Sequence, residues 1–435
     1  MKGETHFAMR LHSVKLPHFN NAAEQITAAL PTPKRVIISM SQHGGVPCTP
    51  LVKVGDEVKT GQLIGSSDAV ISAPVHASIS GRVTAITDVM SVAGRVNQAL
   101  VIEAGETQEM SEEIAPPAVN SREDFIAAVK KSGSVGLGGA GFPTYVKLNY
   151  DRKTTNIDTI VVNGAECEPY ITSDYRTLME EGEKVIDGIK LLMKWLEIPN
   201  CVIGIEADKP KAIENMKKLA GEGSGITVKS LKPQYPQGAE KVLIFKCTGR
   251  VVREGELPMA AGCLVMNVST IAFISDYIKT GVPLIKRRLT IDGNIVKKPS
   301  NVIVPIGTPL SDLLDFAEVS KEPDRVIFGG PMMGSCVYDR DMPTVKTNNA
   351  VLLFADTVQD RVTECIRCGR CIRACSMNLA PTELEHAYDA RDKEELIKLK
   401  VNLCMNCGAC TFVCPAKRNL AEKNQLAKIF LRESK

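Results

Sequence analysis

Two cysteine runs of the same spacing impose the strongest constraint on how this chain folds. Both runs follow the pattern C-x2-C-x2-C-x3-C, and each has a glycine directly after its second cysteine. In this pattern three thiolates of a run bind one cubane, and the fourth binds the neighbouring cluster. The spacing therefore predicts two [4Fe-4S] clusters with crossed ligands. The ligands of the first are Cys365, Cys368, Cys371 and Cys414, and those of the second are Cys404, Cys407, Cys410 and Cys375.

Zinc is the alternative metal for a cysteine-rich segment. Structural zinc takes four tetrahedral ligands, commonly as two spaced pairs, and three cysteines at equal short intervals do not supply such pairs. Two iron–sulfur clusters remain the interpretation. The runs differ at one adjacent position, because Ser376 stands where the second run has Pro415. This difference predicts a less rigid end to the first run without the loss of a ligand.

Length and composition limit the class of protein. A chain of 435 residues is too long for one compact core, so several domains are expected. A net charge of +3, with no basic run interleaved with aromatic residues, argues against nucleic acid as a partner. No apolar run reaches the length of a membrane helix, and the start at Met1–His6 lacks the apolar core of a signal peptide. We expect a cytoplasmic protein without a transmembrane segment of its own.

The sequence pattern divides the chain into four predicted domains within a multidomain α/β protein. Residues 1–115 carry short Val- and Ile-rich strands that resemble the barrel-sandwich domain of lipoyl carriers, without the carrier lysine at the hairpin tip. Residues 116–282 alternate strands and helices, which predicts a three-layer α/β domain. The order strand, strand, helix, strand in 283–350 predicts a β-grasp domain. Residues 351–435 hold the clusters, with helices between the cysteine runs.

A glycine-rich segment begins the α/β domain and is the second informative motif. Its glycines are Gly136, Gly138, Gly139 and Gly141, followed by Phe142 and Pro143. Without side chains, the backbone can approach a phosphate or a ring closely, and Lys147 can meet the phosphate charge. The residues before Gly136 have the pattern of a helix end, so the strand that a Rossmann fingerprint requires is missing. A flexible turn is the alternative.

Polar residues follow the next apolar run. The run that starts at Thr159 ends at Asn163, and Glu166 and Glu168 come directly after it. A short apolar run that ends in polar residues is typical of a buried parallel strand with a site at its carboxyl end. The pattern therefore predicts a site at this edge of the sheet.

These two motifs together resemble the flavin and NADH domain of the nucleotide-binding subunit of respiratory complex I. With the amino-terminal domain and the doubled cysteine motif, the whole chain resembles the RnfC family, whose members belong to Rnf complexes, membrane ferredoxin:NAD⁺ oxidoreductases that pump Na⁺ or H⁺. The resemblance implies FMN and NAD(H) as cofactors, a Rossmann-like flavin domain and an SLBB-like β-grasp domain. It also implies the other subunits of a membrane complex as partners, ferredoxin reached through them, and a peripheral position on the cytoplasmic side of the membrane.

The resemblance further implies which residues bind the nucleotides. FMN is expected against Gly136, Gly138, Lys147, Asn163, Glu166 and Asn267, with Gly139 and Gly141 in the same loop. The nicotinamide is expected to meet Phe142 and Glu168, and Gly238 and Glu240 form a second matching segment. The departures from the complex I pattern are Leu137 for an arginine, Ala165 for an aspartate, Cys167 for a serine and Ala239 for a glutamate. Fewer polar partners predict weaker retention of flavin or nucleotide.

The expected function follows from electron counting. Nicotinamide carries two electrons as a hydride, whereas a cluster passes one at a time, so a flavin is needed as the converter. We therefore expect an NADH-linked oxidoreductase module in which the protein supplies placement and electrostatics and no nucleophile or general base. A soluble relative such as the cobalamin reductase of microcompartments is one alternative. An electron relay that has lost the nucleotide is another, and the four departures are its best support.

Overall fold

The computed structural model describes residues 11–92, 94–358 and 361–433. The segment Met1–His6 considered above lies outside the described residues. Between them, the sheets and helices form an amino-terminal β module, a parallel α/β module, a six-stranded mixed sheet and a helical cysteine-rich module.

The amino-terminal module consists of short strands, as the Val- and Ile-rich pattern predicts. Its two sheets have the orders β2-β8-β7-β4 and β3-β5-β6, and their inner faces meet around Val36, Ile38, Leu100 and Ile102. The strands of this part of the chain are β1 (Ala28–Ala29), β2 (Arg35–Ser39), β3 (Thr49–Pro50), β4 (Glu57–Val58), β5 (Leu63–Ser66), β6 (Val75–His76), β7 (Gly81–Met90) and β8 (Val96–Ala104).

The α/β module begins at a capped helix. The Ser121 hydroxyl accepts a hydrogen bond from the Asp124 N–H at 3.0 Å, as the S-x-x-D sequence predicts. The elements that follow are α1 (Arg122–Lys131), α2 (Thr144–Leu148), β9 (Thr159–Gly164), α3 (Ser173–Glu180), α4 (Gly182–Leu196), β10 (Asn200–Glu206), α5 (Pro210–Ala220), β11 (Ile226–Leu231), α6 (Glu240–Thr248), a 3-10 turn (Pro258–Ala261), β12 (Cys263–Asn267) and α7 (Val268–Thr280).

All four strands of this module are parallel, in the order β11-β10-β9-β12. Apolar helix faces cover both sides of the sheet: Ile189 and Ile271 pack on one side, and Leu243 and Ile244 on the other. Because parallel strands end at the same edge, Asn163 at the end of β9 and Asn267 at the end of β12 are direct partners in the register. This edge carries the candidate site.

The third sheet has six strands in the order β1-β14-β13-β17-β15-β16. The sheet continues past the predicted boundary at residue 350, because β17 lies between β13 and β15. The elements are β13 (Lys286–Asp292), β14 (Ser300–Pro305), α8 (Leu310–Ala317), β15 (Arg325–Phe328), β16 (Ser335–Val337) and β17 (Ala350–Phe354).

The first described residues pack outside the β module to which the sequence assigns them. Val14 and Tyr235 exchange backbone hydrogen bonds at 2.9 and 2.8 Å, and Phe19 stacks on Tyr170 with ring centroids 4.5 Å apart. Strand β1 then pairs with β14. Residues 11–30 therefore tie the α/β module to the six-stranded sheet.

The cysteine-rich module is helical. Leu384, Leu396, Val401 and Ala427 form its core. Left-handed residues recur at equivalent places in the two runs, with Arg367 matched by Asn406 and Gly369 by Gly408. The elements are α9 (Arg370–Ala374), α10 (Pro381–Asp389), α11 (Lys393–Lys398), a 3-10 turn (Val401–Leu403), α12 (Ala409–Phe412) and α13 (Leu420–Glu433). Among the helices of the described residues, none combines the length and apolar character that crossing a bilayer requires.

Candidate functional site

A cavity of about 840 Å³ opens at the carboxyl edge of the parallel sheet. Its walls come from the glycine loop, the ends of β9 and β12, residues 328–335 and 347–349 of the six-stranded sheet module, and the second cysteine run. Eleven of the twelve predicted nucleotide-binding residues line it. They are Gly136, Gly138, Gly139, Phe142, Lys147, Asn163, Glu166, Glu168, Gly238, Glu240 and Asn267.

Gly141 is the predicted residue that does not line the cavity. Its carbonyl accepts a hydrogen bond from the Gly44 N–H at 2.9 Å. Its φ is +63°, and an added Cβ would lie 2.5 Å from Thr347 Cγ2. Glycine at this position therefore allows the loop to approach two other modules closely.

The glycine loop is held from both ends and from below. The Gly136 N–H donates to the Phe142 carbonyl at 2.8 Å, and the Leu137 N–H donates to Thr270 Oγ1 at 2.9 Å. The Leu137 carbonyl accepts a hydrogen bond from the Arg287 guanidinium. At Gly139, an added Cβ would meet no atom within 4 Å, so this part of the loop faces open space. The loop thus forms a rigid glycine cradle, which fits the close approach of a planar or phosphorylated cofactor.

The two asparagines at the sheet edge fix the turns that follow them. Asn267 Oδ1 caps α7 by accepting from the Ser269 and Thr270 N–H groups at 2.9 and 3.3 Å. Asn163 Oδ1 accepts from the Ala165 N–H at 3.1 Å, and its Nδ2 donates to the Gly238 carbonyl at 3.1 Å. Asn163 therefore joins two predicted site segments.

Glu166 holds the start of helix α3. Its carboxylate accepts hydrogen bonds from the Asp174 and Tyr175 N–H groups at 2.6 and 3.0 Å. Burial raises the pKa of Glu166 well above its ordinary value, and the neighbouring Asp174 raises it further. The residue has a φ of +49°, which is uncommon for a residue with a side chain.

Glu168 lies where the α/β module meets the six-stranded sheet module. Its Oε2 accepts from the Met332 N–H at 3.0 Å, and the Tyr235 hydroxyl lies 3.5 Å from its Oε1. Burial raises the pKa of Glu168 to about 7. Gly330 packs against this carboxylate, because an added Cβ would lie 2.3 Å from Oε2. The carboxyl group therefore changes charge near neutral pH.

Lys147 and Glu240, both predicted site residues, form an ion pair on the cavity wall. Lys147 Nζ lies 2.5 Å from Glu240 Oε1 and donates to the Val265 carbonyl at 3.1 Å. The ammonium group is thus held on the wall beside the glycine loop. The motifs predict a site role for each residue, but they do not predict the pairing.

The four departures from the complex I pattern have different structural consequences. Leu137 packs in an apolar cluster with Val135 and Ile306 and does not line the cavity. Ala165 is fully buried. Burial raises the pKa of Cys167 to about 12, and its sulfur accepts from the Gly238 N–H at 3.4 Å. Cys167 and Ala239 line the cavity, so polar groups are missing there.

The cysteines of the two runs are interleaved. Burial raises the pKa of Cys410 to about 12, and Cys404, Cys407 and Cys375 raise it further. Cys375 therefore lies close to the first three cysteines of the second run. On the other side, Cys365 and Cys414 both act on the pKa of Arg418, which its hydrogen bond to Glu385 chiefly raises.

Backbone N–H groups point at the ligand sulfurs. The Arg367, Leu379 and Asn406 N–H groups donate to the sulfurs of Cys365, Cys375 and Cys404, each at 3.4 Å. Such hydrogen bonds stabilise thiolate charge and tune cluster potentials. The interleaved cysteines, these donors and the left-handed turns of both runs fit two cubane clusters.

The second run adjoins the cavity, whereas the first reaches the surface. Cys404 and Cys407 line the cavity wall, and the Tyr235 hydroxyl donates to the Cys407 carbonyl at 2.6 Å. Cys368 is exposed. No local motif in the sequence marks Tyr235 as a site residue. The run from Gly329 to Gly334 also lines the cavity, and its glycines are a signal from which sequence reasoning could have found it.

The fold and the site define a flavin- and iron–sulfur-containing electron-transfer protein. Residues 129–276 match the model of the Nuo51 FMN-binding domain, and residues 364–417 match that of a 4Fe-4S dicluster domain. These matches support FMN and two [4Fe-4S] clusters as the cofactors. In fold, the chain is similar to an NAD⁺-reducing [NiFe]-hydrogenase in its air-oxidised state, with a TM-score of 0.52 and 17% identity, over 71% of this chain and 61% of that one.

Sequence comparison identifies the family. Residues 12–107 match the RnfC barrel sandwich hybrid domain. A relative from Clostridium ljungdahlii, one of the subunits of the proton-translocating ferredoxin:NAD(+) oxidoreductase complex, is 45% identical over 81% of this chain and 78% of that relative. Its counterpart in the Na(+)-translocating complex of Acetobacterium woodii is 42% identical over 81% of each. The chain belongs to the RnfC family.

Proposed function

We propose that this chain is the NADH-linked electron-transfer module of an ion-translocating ferredoxin:NAD⁺ oxidoreductase complex. One observation carries the proposal: a single cavity is lined both by the glycine cradle and by Cys404 and Cys407 of the second cysteine run. A nucleotide cofactor in that cavity lies directly beside a cluster. The relatives named above are RnfC members of such complexes, which supports the other subunits of the complex as partners and a peripheral position on the cytoplasmic side of the membrane.

FMN is proposed to bind in the cavity, with its phosphate near Lys147 and its ring against the glycine loop. When bound, FMN exchanges a hydride with NAD(H) and single electrons with the clusters. The residues proposed to hold it are Gly136, Gly138, Gly139, Lys147, Asn163, Glu166, Gly238, Glu240 and Asn267. Phe142 and Glu168 are proposed to contact the nicotinamide. Gly141 supports the loop from behind through its contact with Gly44.

The protein positions the reacting groups and controls their charge. The glycine cradle is fixed by Thr270 and Arg287, so little reorganisation is needed when a cofactor enters. Tyr235 connects Glu168 to the backbone of Cys407, which keeps the nicotinamide side of the cavity and the nearer cluster in fixed relation. Short separation between the cavity and this cluster favours single-electron transfer.

The domain assignment is proposed in finer terms as well. We assign a barrel-sandwich domain to about 1–115, a Rossmann-like three-layer α/β domain to 116–282, an SLBB-like β-grasp domain to 283–350 extended to the end of β17, and a helical two-cluster domain to the remainder. The short paired sheets, the parallel sheet and the six-stranded mixed sheet support these assignments.

Anaerobic reconstitution tests the function. The purified chain, supplied with iron, sulfide and FMN, is expected to hold about eight irons and one flavin, and NADH is expected to bleach the flavin and then the clusters. About eight irons without any bound flavin contradict the proposal and favour the electron relay. Retention of full activity away from membranes and other subunits, with a soluble acceptor preferred, favours the soluble reductase.

Replacement of Lys147 by Met is expected to weaken FMN binding. A charge-assisted hydrogen bond contributes about 1.5–3 kcal/mol, so its loss corresponds to about a 10- to 100-fold rise in Kd. Quenching of flavin fluorescence measures the Kd. Lys153→Met, at an exposed position, is the matched control. An unchanged Kd in Lys147→Met contradicts the role given to this ammonium group.

Glu168 is expected to make stability depend on pH. Unfolded, this carboxyl loses its proton near 4.5, but the native one keeps its proton until about pH 7. The native state therefore binds more protons between these values, and stability falls as pH rises through this window and then levels off. Relative to Glu168→Gln, the wild type is expected to lose about 1–3 kcal/mol. Thermal unfolding midpoints from pH 5 to 8 test this, with the exposed Glu106→Gln as control; parallel curves contradict it.

A further inference from the structure

The two cluster sites lie at different depths. Cys404 and Cys407 of the second run face the cavity, and Cys410 is buried. In the first run Cys368 is exposed. The sites are therefore arranged in sequence from the cavity, through the second-run cluster, to the first-run cluster at the surface.

The surface around Cys368 combines apolar and cationic side chains. Ile366 is 68% exposed and Ile372 is 42% exposed. Four exposed arginines surround them, and Glu364 is the only acidic residue in segment 361–376. We call this surface the arginine face; it consists of Arg361, Ile366, Arg367, Arg370, Ile372 and Arg373.

The arginines of this face are not neutralised within the part of the chain that the structure describes. No carboxylate of the described residues forms an ion pair with any of the four; Arg373 donates to the Cys368 carbonyl at 3.1 Å. Elsewhere exposed cations are commonly paired, as Arg340 is with Glu322. Exposed apolar residues together with arginine are the composition of a protein interface.

We propose that the arginine face docks an acidic one-electron carrier protein that exchanges electrons with the first-run cluster. The proposal rests on the proposed function and names the partner of its outer end. In each transfer the reduced cluster gives up one electron and the carrier's redox centre gains it, or the reverse, and no bond or proton changes. An anionic membrane also attracts arginine, but a lipid cannot accept the electron that an exposed cluster offers. Charge complementarity accordingly selects an acidic protein.

The test uses the cluster-loaded full chain and a reduced plant-type [2Fe-2S] ferredoxin, an acidic carrier with a visible spectrum different from that of a cubane. Stopped-flow absorbance measures the second-order rate constant for cluster reduction. We expect the constant to fall as salt rises, because charge steering is screened. Arg361→Glu/Arg370→Glu is expected to lower it at least about tenfold at low salt, with iron content unchanged.

The matched control is Lys217→Glu/Lys218→Glu, which reverses two exposed charges on α5 and is expected to keep the wild-type rate constant. A rate constant that ignores both salt and the arginine substitutions overturns the proposal. So does the absence of transfer in the wild type, or arginine-dependent binding to phosphatidylserine vesicles with no arginine dependence of transfer. Reduction of the flavin by NADH, followed separately, tests the proposed function, so the two failures are distinguishable.

Discussion

Cys375→Ala is expected to remove the cluster beside the cavity, although Cys375 belongs to the other cysteine run. With crossed ligands, its thiolate completes the set of Cys404, Cys407 and Cys410, and it lies close to them in the structure. Iron content is expected to fall from about eight to about four per chain. The remaining cluster lies on the far side of the gap, so NADH is expected to bleach the flavin but to reduce this cluster at least about tenfold more slowly.

Cys414→Ala is the matched comparison, because it is expected to remove the outer cluster and leave the inner one. It is also expected to hold about four irons, but here NADH reduces the remaining cluster at the wild-type rate. Cys336→Ala, at an exposed cysteine outside both runs, should keep all iron. Uncrossed ligands produce the opposite result, with fast cluster reduction in Cys375→Ala and slow reduction in Cys414→Ala. Iron analysis with stopped-flow absorbance decides between them.

The sequence predicted those parts of the site that are local in the chain. Ligand spacing in the cysteine runs and the glycines of the cradle are set by neighbouring residues, so a short motif is enough to mark them. The end of β9 was also predictable, since an apolar run followed by polar residues marks a buried strand with a site at its end. In the fold, the parallel sheet followed from the alternation of strands and helices.

Long-range contacts were not predictable. Tyr235 and Arg287 act on the site through backbone carbonyls far away in the chain, and no local pattern marks a side chain that does so. The Lys147–Glu240 pair depends on where α2 and α6 come together. Similarly, the sequence pattern treats Leu137 as a missing polar partner, whereas its side chain packs in an apolar cluster away from the cavity. Packing decides each of these cases.

Arg287→Met is expected to loosen the glycine cradle and weaken FMN binding from outside the cavity wall itself. The buried guanidinium donates to the carbonyls of Leu137, Lys346 and Asn348, and burial lowers its pKa to about 10. Methionine fills similar volume but leaves three buried acceptors without partners, at a cost of about 3 kcal/mol or more. Because one of these carbonyls belongs to the cradle, the Kd for FMN is expected to rise about tenfold or more, corresponding to about 1.4 kcal/mol.

Arg288→Met separates a cradle effect from a general loss of stability. Arg288 is the next residue of β13, and its side chain is also mostly buried, but it pairs with Glu180 and Glu181. It is therefore expected to lower the thermal unfolding midpoint while leaving the Kd for FMN near the wild-type value. Arg287→Lys keeps the charge but cannot reach three carbonyls at once, so its Kd should be intermediate. Equal Kd values in Arg287→Met and Arg288→Met would show that Arg287 only stabilises the fold, since a cradle role requires the two variants to differ.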